Sequence, residues 1–253
     1  MPSRFLSHWR GIVLSLIGIV ATTWLAMTDQ LGLYIHPRYF VFTVVMAVIA
    51  AVFVLLAFAL LPSAKAEEDG HDHAEPSSRS TGWWTGVSVV LVLVSAGALL
   101  VLPPTILTTS TVAQRDINGS VSTVSQSESV SLVGGDYSSF TVKDWAGLLR
   151  QGADQEFFAG KTPTVVGFIT PDTDSPDDVF YVARFVITCC AVDAQPIGVP
   201  VYLPGWQDEF DTDDWVSVTG SFIPNPSIRS VQAFVLTPTD IDVIDQPAQP
   251  YVY

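Results

Sequence analysis

The stretch FVFTVVMAVIAAVFVLLAFALL, residues 40–61, decides how the rest of the chain is read. It carries no charged residue and reaches the ~20 residues needed to cross a bilayer core. Two more apolar runs flank it, Gly11–Met27 and Trp83–Leu102. The latter is also uncharged and of spanning length, while Gly11–Met27 sits near the ~17-residue lower limit. A soluble domain rarely places three such segments in so short a stretch. Residues 1–103 therefore read as a membrane domain with helices at about 11–27, 40–61 and 83–102. Arg4 and Arg10 give the first run the basic flank of a signal peptide, but the small-x-small pattern after it is loose and a second apolar run follows. We read it as a retained helix.

The orientation comes from the basic residues. Arg4, Arg10, Lys65 and Arg79 flank the runs on one side, against Arg38 in the first loop. The positive-inside rule puts the N-terminus in the cytoplasm, and three crossings put the C-terminal part outside the cell membrane. Trp9, Trp24, Tyr34, Tyr39, Trp83 and Trp84 fall near the helix ends, where interfacial aromatics belong.

The second half differs in composition. Residues 104–253 hold six basic and 19 acidic side chains, so nearly all of the chain's net charge of −14 lies there. Such a surface repels phosphate backbones and excludes nucleic acid as a partner. A Ser/Thr-rich stalk or linker is expected over 104–136, and a folded extracytoplasmic domain over 137–253. Thr141-Val-Lys-Asp144 fits a capping box, with Trp145, Leu148 and Leu149 following at helical spacing. Strands are then expected at Thr164–Thr170, Val179–Cys190, Gly198–Leu203, Trp215–Phe222, Val231–Leu236 and Ile241–Ile244, separated by turns rich in Pro, Asp and Gly. Short strands with one helix suit a small closed barrel, so the fold class is membrane α plus a mainly β domain, an OB-like barrel being the first choice.

The chain's two cysteines are adjacent, Cys189-Cys190. In a regular strand they point to opposite faces, one buried and one exposed. The plainest reading is two small hydrophobes. The alternatives are a metal-linked or redox pair and a vicinal disulfide, whose strained ring makes it labile. Arg184 shares the expected strand, and Asp193 in the turn beyond is its sequence-local counter-ion. A divalent transition metal such as zinc would draw on Cys189, Cys190 and Asp193, or on His71 and His73 in the acidic linker after the second run. His36 and Arg38 mark a loop at the membrane edge that could face a partner. No charged residue lies within the last two apolar runs, which argues against an ion path through these helices.

Together, Tyr34-Ile-His-Pro-Arg38, the His/acidic linker, Pro103-Pro104, Lys143-Asp144-Trp145, Gly160-Lys161, Arg184-Phe-Val-Ile-Thr-Cys-Cys-Ala-Val-Asp-Ala194, Trp215-Val-Ser-Val-Thr-Gly220 and Pro247-Ala-Gln-Pro-Tyr251 resemble the YcgQ-like bacterial membrane family. That resemblance implies one subunit of a two-component permease complex, docked on a separate multi-helix permease. It implies no substrate and no catalytic residue. The leading expectation is a non-enzymatic accessory subunit. The alternative is an extracytoplasmic metal-binding or delivery protein. A thiol-redox protein ranks last, because there is no CxxC and no nearby lysine or histidine to lower a thiol pKa.

Overall fold

The computed structural model describes residues 2–60, 78–101, 106–119, 137–153 and 155–253. They form two compact units, Met1–Thr105 and Ile106–Tyr253.

The first unit is helical, with α1 at Pro2–Met27, α2 at Phe40–Leu60 and α3 at Ser78–Val101. All three apolar runs are thus helices. Of the three expected spans the structure supports one. Among the described residues only Pro37–Leu56 is long and apolar enough to cross a bilayer, while Gly11–Met27 and Val89–Ala98 are shorter apolar stretches. Gly11–Met27, at 17 residues, falls short of the ~20 needed to cross a bilayer core. Between α1 and α2 the chain makes two short 3-10 turns, Gln30–Leu33 and Pro37–Tyr39.

The second unit is built on six strands: β1 Thr164–Pro171, β2 Val179–Val186, β3 Gln195–Tyr202, β4 Trp215–Pro224, β5 Phe234–Val243 and β6 Tyr251–Val252. The first five close on one another in the order β1-β2-β3-β5-β4-β1. All contacts in that ring are antiparallel except β3 with β5. This is a closed five-stranded mixed barrel, consistent with an OB-like fold. The two expected strands at Val231–Leu236 and Ile241–Ile244 are one continuous β5. Pro238 does not break it: where the register shifts opposite Thr219/Gly220, β5 itself carries one extra residue, Thr239, beside Pro238, and a bulge is a place where a strand tolerates proline.

Closure depends on two glycines. β1 pairs with β4 through Phe168 and with β2 from Phe168 onward, so it bends there. A Cβ on Gly167 would strike the Ala183 carbonyl, and one on Gly220 would strike that of Thr237. The barrel interior is filled by alternating residues, including Val165, Ile169, Phe180, Val182, Val199, Val216 and Val218. One end is plugged by α5, Val142–Arg150, and α6, Gln155–Phe158. Trp145 packs 5.5 Å from Phe222, and Phe158 packs 4.6 Å from Phe222. The α5 capping box forms as expected, with Asp144 accepting from the Thr141 backbone N–H at 2.8 Å.

Part of the stretch read as stalk belongs to this unit. Residues Ile106–Gly119, with a turn of helix α4 at Thr109–Val112, lie against the barrel as a strap. Alternate residues of a strand aim their backbone groups to alternate sides, and on β3 the even-numbered residues point away from β2. Their side is paired with β5 only at Val201. Upstream, Asn118 takes that place. Its backbone N–H donates to the Pro196 carbonyl, its side-chain amide donates to the Gly198 carbonyl at 2.9 Å, and its side-chain oxygen accepts from the Gly198 N–H at 2.8 Å. Pro196 and Pro200 have no N–H to leave unpaired on this edge. Gly198 admits Ile117 and Tyr181, whose atoms would lie 3.1 and 3.2 Å from a Cβ there.

Candidate functional site

The cysteine pair is not in a strand. β2 ends at Val186, and Thr188–Cys190 turns outward before a 3-10 turn at Ala191–Asp193. The regular-strand expectation therefore fails; the two cysteines still differ in burial, Cys189 exposed and Cys190 half-buried, but neither enters the core. Both are free thiols, which removes the vicinal disulfide.

What organises this connection is Asp193. Its carboxylate accepts from the backbone N–H groups of Thr188 at 3.3 Å, Cys189 at 2.7 Å and Cys190 at 3.3 Å. Cys190 acts as the N-cap of the 3-10 turn, its sulfur accepting from the Asp193 N–H. Partial burial raises the Asp193 pKa, but the N–H groups of Cys189, Cys190 and Thr188 outweigh it and hold the carboxyl below its usual range. The Cys189 thiol is pushed up to about 11 by its hydrogen bond with Cys190, then by burial and by Asp193. A thiol held in that state is a poor nucleophile and a poor metal ligand at neutral pH.

Arg184 and Asp193 do not meet. Arg184 donates from Nη2 to the Gln249 carbonyl at 2.9 Å, and its guanidinium lies 5.5 Å from the centre of the Trp215 ring. Burial lowers its pKa, and its Nε has no hydrogen-bond partner among the described residues. Trp215 in turn packs on Phe168, which stacks on Phe185. The arginine's partner is thus an aromatic face and the C-terminal segment.

His71 and His73 lie outside the described residues. Among the described residues no group of three or more His, Cys, Asp or Glu is placed to hold a metal ion. His36 caps the second 3-10 turn of the first unit, its Nδ1 accepting from the Arg38 N–H at 3.1 Å, and the Arg38 guanidinium sits 5.5 Å from the Tyr39 ring centre.

A site that the sequence reading missed lies on the barrel. A cleft of about 860 Å³ opens between the strap, the β1–β2 turn and the β4–β5 loop. In OB-type barrels the β2–β3 face and these two loops are the usual ligand-binding region. The two loops are tied by a 2.8 Å hydrogen bond between the hydroxyls of Ser175 and Ser227. The strap is held at both ends, by Thr109, whose N–H donates to Asp213 at 2.7 Å, and by Asn118. Its floor includes Tyr181, only 3% exposed, and Thr170. Burial, followed by the charges of Asp172 and Asp174, raises the Tyr181 pKa well above a normal phenol, so it stays protonated. Available signals were Asp116-Ile-Asn-Gly119, with its Asn-Gly turn pair, and the Pro196-x-Gly-x-Pro200 edge.

One apolar helix of spanning length and a closed OB-like barrel define the class: a two-unit chain with weak membrane character in the first unit. The chain belongs to the DUF1980 family, its residues 9–118 matching the DUF1980 N-terminal domain and 110–253 the DUF1980 C-terminal domain. No curated protein matches it. Among solved structures it is similar to an OBody, AM3L09, bound to hen egg-white lysozyme, at 20% identity over 35% of this chain and 85% of that one. The TM-score is 0.23, too low to carry any argument.

Proposed function

We propose that the chain is a non-enzymatic accessory subunit of a membrane permease complex. In this reading its helices cross the cell membrane three times and dock on a separate multi-helix partner, with the N-terminus cytoplasmic and the barrel outside. The observation that carries it is α2. The helix is apolar on every side, with a mean hydropathy of 2.8 over Pro37–Leu56. Val41, Phe42, Phe53 and Leu55 are all exposed on it. A helix of this kind needs lipid or other helices around it. Its lack of charged residues supports docking over ion conduction by this chain itself.

The test is purification of the full chain from its native membrane in mild detergent. The expected result is a stoichiometric multi-span partner that remains bound through size exclusion. Recovery of the chain alone, or release by a carbonate wash, overturns the reading. A reporter that is active only in the cytoplasm, fused after Tyr253, should stay silent; a strong signal reverses the orientation.

A further inference from the structure

Five charged side chains line the barrel cleft, Arg115, Asp116, Arg150, Asp172 and Asp174, and two of opposite charge, Arg115 and Asp172, each have a polar atom that nothing satisfies among the described residues. Asp172 is 4% exposed. Its Oδ1 accepts from the Asp174 N–H at 3.4 Å, while Oδ2 has no partner among the described residues. Arg115 lies on the strap. Its Nη2 donates to the Val192 carbonyl at 3.1 Å, and its Nη1 is likewise buried and unpartnered. Leaving a buried charge uncompensated is costly, and the cost is recovered when a ligand supplies the missing partner.

We propose that this cleft binds a free amino acid, with Arg115 receiving the carboxylate and Asp172 the ammonium group. A guanidinium presents a planar fork that suits a carboxylate. A buried carboxylate suits a compact cation with several N–H donors. The two orphan atoms are withdrawn from solvent, so each side chain must turn toward the cleft to meet the ligand. Tyr181 and Thr170 add neutral hydroxyls on the same wall. Because Tyr181 stays protonated, its phenol donates as well as accepts. Val112, Ile117, Pro176 and Val231 supply apolar lining for a side chain. The volume, about 860 Å³, lies within the ~300–1,000 Å³ range of small-molecule sites. A bare metal ion fits less well, since it would want several anionic ligands and Asp172 is the one buried carboxylate here.

The experiment is isothermal titration calorimetry on the full chain in mild detergent. Each standard L-amino acid is tested, with methylamine and acetate as single-charge probes. At least one amino acid is expected to bind with a Kd below about 1 mM, and methylamine and acetate at least about tenfold more weakly. Asp172→Asn and Arg115→Gln should each weaken that binding by about tenfold or more. The melting temperature of ligand-free Asp172→Asn should hold or rise, because the uncompensated charge is gone. No binding by any amino acid at about 10 mM overturns the proposal. So does methylamine binding as tightly as the best amino acid, or unchanged affinity in both variants. A fall in melting temperature with affinity retained would make Asp172 structural and also overturn it. The measurement needs no partner subunit, so its outcome is separate from that of co-purification.

Discussion

Asp193 shows how one side chain organises a loop. Three backbone N–H groups converge on its carboxylate, so Asp193→Ala should cost about 1–3 kcal/mol, the range for losing charge-assisted hydrogen bonds. Urea unfolding of the full chain in detergent, monitored by tryptophan fluorescence, checks this; a change within about 0.5 kcal/mol contradicts it. The pH sign follows from linkage. The folded-state pKa is depressed, so the stabilisation is fully present above the unfolded carboxylate value and is lost as pH falls through the folded one. Wild type should therefore lose stability in acid more steeply than Asp193→Asn, whose side chain does not titrate. Cys189 makes a second prediction at this scale. Exposed but held as a thiol, it should alkylate slowly at pH 7 and faster as pH rises toward about 11. Asp193→Asn should speed that labelling, and an unchanged rate would mean that the carboxylate does not act on the thiol. From the sequence, the segment from Arg184 to Asp193 stood out, but its wiring did not. Adjacency suggested an Arg184–Asp193 pair, whereas the turn spends the carboxylate on its own backbone and Arg184 finds Trp215 and Gln249.

At the scale of elements, the pattern of apolar residues translated directly into strands. Val216, Val218 and Phe222 are buried on one face of β4, as alternation along a half-buried strand requires, while Trp215, one residue out of phase, is buried on the other face. Trp215 packs between the Phe168 ring and the Arg184 guanidinium. Trp215→Ala should cost about 3–5 kcal/mol in the same unfolding measurement. A loss under about 0.5 kcal/mol would mean that the ring is not held. The strap on β3 is tested by Gly198→Ala. The added methyl meets Ile117 and Tyr181 at 3.1 and 3.2 Å. We expect a loss of about 1–3 kcal/mol, the range for overpacking. Faster amide exchange at Asn118 and Gly198 should accompany it, and unaltered exchange would show that the strap tolerates the methyl.

At the scale of the whole molecule, the strap shifts the limit of the folded part. A fragment of residues 106–253 should be soluble, rich in β structure by circular dichroism, and more stable than one of residues 137–253. The shorter fragment loses the Asn118 bonds and uncovers the β3 edge, which then becomes a template for edge pairing. Equal melting temperatures and equal solubility for the two would contradict the role given to the strap.

The sequence by itself determined the division into an apolar half and an acidic half, the helical character of the three apolar runs, the α5 cap and the barrel class. Each of these depends on local periodicity, composition or a motif within a few residues, and such signals survive in one dimension. Only the tertiary structure decided that β5 is a single strand through Pro238, since that depends on a bulge at Thr239 that forms only in its pairing with β4. It alone joined Asn118 to Gly198, 80 residues away in the chain. It also brought Arg115, Asp172 and Tyr181 to one cleft. Those pairings are set by barrel closure, which brings together edges whose partners no local pattern names.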